Sequence, residues 1–285
     1  MLNYTALFAF VILMACQNEP QRSPTALPPV LTPPVSATPT ERKLVWADEF
    51  DKPGVATPGL PDTTRWRYDV GGHGFGNNEL QFYRANRLEN ARIENGRLII
   101  EARKERHENR EYTSAKLITR GKHEWKYGRF EIRAKLPSGR GSWPAIWMLG
   151  SNIDKVGWPL CGEIDIMEHV GFDPNVVHGT LHTDAYNHVK GTHKGAKTIV
   201  PTAMTDFNVY AVEWTTSQID FFVNDQKYHT LTRQALGSSP AQWPLDQPYY
   251  LILNVAVGGN WGGQKGVDDS TLPYKMEIDY VRVYQ

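Results

Sequence analysis

From residue 43 onward the chain consists of short runs in which apolar and polar positions alternate, or in which β-branched and aromatic residues crowd together. Such runs fit strands, whose side chains point to opposite faces with a period of two. They cover Lys43 to Phe50, Arg97 to Lys104, Arg129 to Lys135, Val177 to His182, Tyr210 to Trp214, Ile219 to Val223, Tyr249 to Val257 and Met276 to Tyr284. Asn95-Gly96 and Asn224-Asp225 each separate two such runs and predict tight hairpins, because these residue types accept the positive φ that a two-residue turn imposes. No long stretch keeps a helical period. Many short strands with neither repeats nor interleaved helices predict an all-β fold, an antiparallel sandwich.

The first forty residues follow a different pattern. Ala6 to Ala15 is almost wholly apolar, too short to span a bilayer but of the length of a signal-peptide core. Gln17 to Thr40 is rich in Pro, Ser and Thr, and Pro28-Pro29 and Pro33-Pro34 exclude both helix and strand ladder. The organisation predicted is a signal peptide over residues 1–15, a Pro/Thr-rich tether over 16–40 and one folded domain over 41–285. The signal departs from the usual pattern in having no Lys or Arg before its apolar run.

Alternation breaks in one chemically loaded place. Glu163-Ile164-Asp165-Ile166-Met167-Glu168 puts Glu163 and Asp165 on one strand face and Ile164 and Ile166 on the other, and leaves Glu168 with the wrong parity. One extra residue restores it, and Met167 is a flexible apolar filler for such a bulge. Three acids would then share a face. Crowded carboxylates raise one another's pKa and divide into ionised and protonated members, the division that retaining glycoside hydrolysis requires of its nucleophile and its acid/base. Four effective strand steps still separate the two glutamate backbones by roughly 13 Å, so curvature and inward-leaning side chains must close the gap. A solvated strand face or a calcium site are the plainer readings of an acidic strand. Gly162, Gly171 and the nearby tryptophans weigh against both.

Composition narrows the partners. Thirty-one basic residues balance thirty-one acidic ones, and a neutral chain without a Lys/Arg cluster offers nothing to nucleic acid or to a charged membrane surface. It suits a neutral polysaccharide. Nine Trp and thirteen Tyr exceed what a β core alone would use, and the surplus can stack on sugar rings. Of the two cysteines, Cys16 lies in the leader, so Cys161 has no partner in the folded part and reads as a small buried apolar residue.

The segment Gly162 to Gly171 resembles the active-site strand of family-16 glycoside hydrolases in its bulged E-x-D-x-x-E form. Similar segments flank it: Trp46 to Phe50, Gly76 to Gln81, Tyr127 to Pro137, Trp143 to Leu149 and Glu277 to Tyr284. The resemblance spans roughly residues 41 to 285 and is nearest to bacterial laminarinases, which cut β-1,3-glucans internally and often mixed β-1,3/1,4-glucans. It implies a β-jelly-roll sandwich with a concave glycan-binding cleft, Glu163 as nucleophile, Asp165 as its assistant and Glu168 as acid/base. It further implies that His182 stands in the cleft, that catalysis needs no cofactor, and that a structural calcium binds through Glu49, the Gly96 carbonyl and Asp279. Leu13-Met14-Ala15-Cys16 resembles a bacterial lipobox, which would anchor an exported, monomeric enzyme to the outer membrane or cell surface through Cys16; ordinary cleavage and secretion is the alternative.

Several residues are candidates for the cleft. The glycine-rich stretch Gly71 to Asn78 is a loop in which backbone can approach a ligand and Asn78 offers a donor and an acceptor, or it is simply a turn. Trp261, in a similar loop, would cap one end of the groove. Trp143 and Trp147 are either sugar platforms or core aromatics. Arg133 shares parity with Arg129 and Glu131 on a polar face that is either cleft or solvent. His178 and His182 share a strand face but lie about 13 Å apart, too far to meet on one zinc ion. Relatives of this strand act on agar, carrageenan or xyloglucan, and some jelly rolls only bind glycans, so these stand as the alternative functions.

Overall fold

The predicted hairpins form where expected. Asn95 and Gly96 have φ of 52° and 71°, and Asn224 and Asp225 have 48° and 63°, the left-handed pair that lets two twisted strands reverse without splaying. The computed structural model describes residues 42–51 and 58–285. The expected signal peptide, the Cys16 lipidation site and the tether lie outside the described residues.

Two sheets face each other. The outer sheet holds β1 (Leu44–Asp48), β3 (Gln81–Tyr83), β4 (Ala91–Glu94), β5 (Arg97–His107), β6 (Arg110–Ser114), β8 (Gly128–Lys135), β13 (Asn208–Trp214), β14 (Gln218–Val223), β15 (Gln226–Thr232) and β17 (Tyr274–Tyr284). The inner sheet holds β2 (Arg67–Tyr68), β7 (Lys116–Ile118), β9 (Ser142–Gly150), β10 (Glu163–Glu168), β11 (Val176–His182), β12 (Lys194–Ile199) and β16 (Tyr249–Val257), in the order β12-β11-β10-β9-β16-β7-β2. Pairing is antiparallel except between β3 and β6, which run parallel at the edge of the outer sheet. The described helices are short: Ile153–Val156, Arg233–Leu236 and a 3₁₀ turn over Asp269–Thr271.

The core lies between the sheets. Alternation sends Ile146 and Met148 of β9, Ile164 and Ile166 of β10, and Leu251, Leu253 and Val255 of β16 inward. They meet Phe130, Ile132 and Ala134 of β8, Tyr210 and Val212 of β13, and Ile278 and Val281 of β17. Each fully buried aliphatic or aromatic side chain contributes about 1.5–3 kcal/mol relative to exposure, so the sandwich is held chiefly by this layer. The opposite face of the inner sheet is left free for chemistry.

Candidate active site

The bulge in β10 is present, and its extra residue with respect to β9 is Ile166. Asp165 pairs with Trp147 and Met167 with Ile146, so Ile166 has no partner on β9; on β11, Gly179 alone faces both Ile166 and Met167. Ile164, Ile166 and Met167 are all buried in the core. Met167 therefore keeps its strand pairing, and the filler is the residue before the expected one. The consequence for parity is as predicted: Glu163, Asp165 and Glu168 all face one cleft.

Because cross-strand partners share a face, the registers lay out the cleft floor as rows. Tyr250, Leu149, Glu163 and His182 form one; Ile252, Trp147, Asp165 and Thr180 the next; Asn254, Ala145, Glu168 and His178 the third. Glu163 to Glu168 thus spans only the four β9 steps from Leu149 to Ala145, with Asp165 midway. Apolar patches flank the acids. Trp147 and Trp158 pack with Leu149 and Tyr250 at the Glu163 end, whereas Trp143, Phe172 and Trp261 pack with Val170 and Ala256 at the Glu168 end. The cavity between them has a volume of about 330 Å³.

A tryptophan holds each glutamate. Trp158 Nε1 donates to Glu163 Oε2 at 3.0 Å, and Trp143 Nε1 donates to Glu168 Oε1 at 3.0 Å. His182 Nε2 stands 3.3 Å from Asp165 Oδ2 and 3.8 Å from Glu163 Oε1. Burial pushes all three acids up to about 8, and the charge of Asp165 adds to the shift of both glutamates. Three negative charges therefore do not coexist here near neutral pH. His182 and an indole N–H, from Trp158 for Glu163 and from Trp143 for Glu168, favour the ionised form of both glutamates; Glu168 alone also feels Glu79, a buried acid that pushes it toward the protonated form.

Other expected cleft residues fall differently. Trp147 lines the cavity with its N–H donated to Asn254 Oδ1 at 2.7 Å, and Trp143 lines it beside Glu168. Trp261 packs edge-on against Trp143, ring centres 5.6 Å apart, and against His178. It backs the wall at the Glu168 end. Asn78 gives its amide to Asn260 Oδ1 at 2.8 Å and ties two loops together, while its neighbour Asn77 lines the cavity. Arg133 is on β8 of the outer sheet, paired with Asp279 Oδ2 at 2.5 Å and lying over the Phe207 ring. Its assignment to substrate is corrected, since its polar face is the far side of the sandwich.

The expected calcium residues lie on that far side. Asp48 pairs with Val281, so Glu49 follows beside Tyr280; Asp279 sits at a register shift in β17; and Leu98 pairs with Ile278, which brings the Gly96 turn to the same edge. Oxygen donors suit calcium. Glu49 is held by Arg282 through both oxygens, at 2.8 and 2.9 Å, and Asp279 by Arg133, so an ion would share these acids with the arginines.

Two features were not anticipated from sequence. Trp158 stands in a loop, where no periodicity marks it. Glu79, Tyr83 and Asn254 form a buried polar relay: Tyr83 donates to Glu79 Oε2 at 3.0 Å and accepts from Asn254 Nδ2 at 3.0 Å. Asn254 carried a signal, as the lone amide in the apolar run Tyr249–Val257.

A jelly roll whose concave sheet sets an assisted pair of glutamates on one bulged strand between tryptophan walls is a retaining glycoside hydrolase. The chain belongs to Glycosyl hydrolases family 16, whose profile matches residues 78–282. It is 59% identical over 248 residues to a beta-glucanase of Rhodothermus marinus, covering 85% of each chain. The laminarinase structure from Rhodothermus marinus superposes with a TM-score of 0.82 at 58% identity, covering 86% of this chain and 97% of that one. A Glu→Ser variant of SCLam, a non-specific endo-β-1,3(4)-glucanase crystallised with 1,3-β-D-cellotriosyl-glucose, superposes with a TM-score of 0.81 at 50% identity, covering 87% and 96%.

Proposed function

We propose that the protein is a retaining endo-β-1,3-glucanase that also cuts mixed β-1,3/1,4-glucan. The observation that carries the reading is the shared cleft face of Glu163, Asp165 and Glu168, set by the Ile166 bulge. Ionised Glu163 attacks the anomeric carbon while Glu168 gives its proton to the departing glycosidic oxygen, forming a covalent glycosyl-enzyme. Glu168, now ionised, takes a proton from water as that water displaces Glu163 and restores the first anomeric configuration. Asp165, between them, keeps Glu163 oriented.

Cleft chemistry supports a neutral glucan. Lys116 lines the cavity but is paired with Asp69 at 2.9 Å and lies over the Phe75 and Trp147 rings, so little free positive charge awaits a sulfated polymer. A purely binding jelly roll would have no use for the complete trio. The test is product analysis on laminarin and lichenan, with NMR following the first sugar released: β-anomer first supports the reading, and α-anomer first contradicts it.

Export, with a lipid at Cys16 and a spacer to residue 40, would place a monomeric enzyme at the cell surface within reach of polymer; labelled palmitate incorporated by the wild type and not by Cys16→Ser supports this. A structural calcium at Glu49, Gly96 and Asp279 is supported by the oxygen donor set on one side of the sandwich; calcium added after EDTA treatment should raise the melting temperature, and an unchanged one would contradict the site.

A further inference from the structure

The centre of the cleft also has the make-up of a transition-metal site. Glu163, Asp165 and His182 each present one ligand atom, and these atoms lie within 4.8 Å of one another; among the described residues no other group of three His, Cys, Asp or Glu does so. A tetrahedral zinc ion with bonds of about 2.0–2.2 Å holds neighbouring ligand atoms about 3.3–3.6 Å apart. His182 Nε2 is 3.3 Å from Asp165 Oδ2 and 3.8 Å from Glu163 Oε1, so two edges of the tetrahedron are nearly in place.

A second observation points the same way. Asp165 is only 3% exposed, and its Oδ2 accepts no hydrogen bond although it is turned toward His182. Buried carboxylate oxygens without donors are costly, and a cation is the usual remedy. The donors, one imidazole nitrogen and two carboxylate oxygens, suit zinc and its neighbours better than magnesium, which prefers oxygen alone.

We propose that Glu163, Asp165 and His182 form an inhibitory site for a zinc-type divalent cation, with the fourth coordination position facing the open cleft. An ion there ligates the carboxylate that must attack the sugar and occupies the space between the reacting groups. Zinc would thus stop hydrolysis reversibly, a consequence that rests on Glu163 being the nucleophile. Occupancy does not rest on it.

The deciding experiment reads occupancy alone. Wild-type crystals soaked in zinc sulfate should show an anomalous peak at bonding distance from His182 Nε2, Asp165 Oδ2 and Glu163 Oε1. Calorimetry on the full chain should give one zinc per molecule and no magnesium, with affinity reduced roughly 10–100-fold or more in His182→Ala and in Asp165→Asn. His188 and His193, whose rings neighbour His182, supply the control: His188→Ala/His193→Ala should bind zinc as the wild type does. A peak on His188 or His193, no peak at all, or unchanged affinity in both single variants would overturn the site.

Discussion

Trp158 donates its indole N–H to Glu163 Oε2 across 3.0 Å, so the catalytic strand is held from a loop that precedes it by only five residues. The contact stabilises the ionised form of a carboxyl that burial pushes up to about 8. Hydrogen bonds to charged groups are worth about 1.5–3 kcal/mol, and one pKa unit corresponds to about 1.4 kcal/mol. Trp158→Phe keeps the apolar wall and removes the donor. The acidic limb of the kcat/KM profile, which follows ionisation of the nucleophile in the free enzyme, should move upward by about one pH unit. An unmoved limb would show that Trp158 serves packing alone.

Glu168 supplies the proton to the leaving group, so its removal should matter in proportion to how much help that group needs. Glu168→Ala should cost roughly 10²–10⁴-fold on laminarin. On an aryl glucoside with a dinitrophenolate leaving group, formation of the glycosyl-enzyme should be far less affected. Equal losses on both substrates, read from pre-steady-state release of the phenol, would remove Glu168 from the acid role.

The acids work against the fold. Below the ordinary carboxyl pKa of 4.5, Glu163 is protonated in the folded and the unfolded chain alike. Between 4.5 and about 8 the unfolded chain ionises all three acids, while the buried trio, with Glu163 its first member to ionise, keeps more protons, so stability falls as pH rises through that window. Glu163→Gln removes the cost. Its melting temperature should match the wild type near pH 4 and exceed it at pH 8, by about 2–4 °C for each kcal/mol recovered. A variant no more stable than wild type at pH 8 would show that the carboxyl is not under this strain.

Much of this was legible in the chain, for reasons that can be named. Tyr249–Val257 appears with the predicted bounds because nine consecutive residues are buried there. Both hairpins form because Asn95, Gly96, Asn224 and Asp225 accept positive φ. The acid trio was readable because a parity fault in Glu163–Glu168 has one cheap remedy, an extra residue. Which residue is extra was not readable: Ile166 and Met167 are both apolar and both buried, and only the register with β9 separates them.

Parity also cannot say to which sheet a strand belongs. Arg133 sits on a polar face, as its alternation implies, but that face belongs to the outer sheet and leads to Asp279. Strand β9 escaped notice because Pro144, which lacks a ladder donor, argues against a central strand; its carbonyl nonetheless accepts from His169 N across the sheet. Strand β12 escaped because Lys194–Ile199 is a half-exposed edge with little apolar content. Trp158 escaped because loop position follows from tertiary packing and has no period.

Covalent trapping addresses the nucleophile itself. Incubation with an activated 2-deoxy-2-fluoro-β-laminaribioside should leave a stable glycosyl-enzyme, since the fluorine slows its hydrolysis more than its formation. Peptide mass spectrometry should then find the added mass on Glu163. The label on Glu168, or wild-type turnover of laminarin by Glu163→Ala, would contradict the account of the bulged strand.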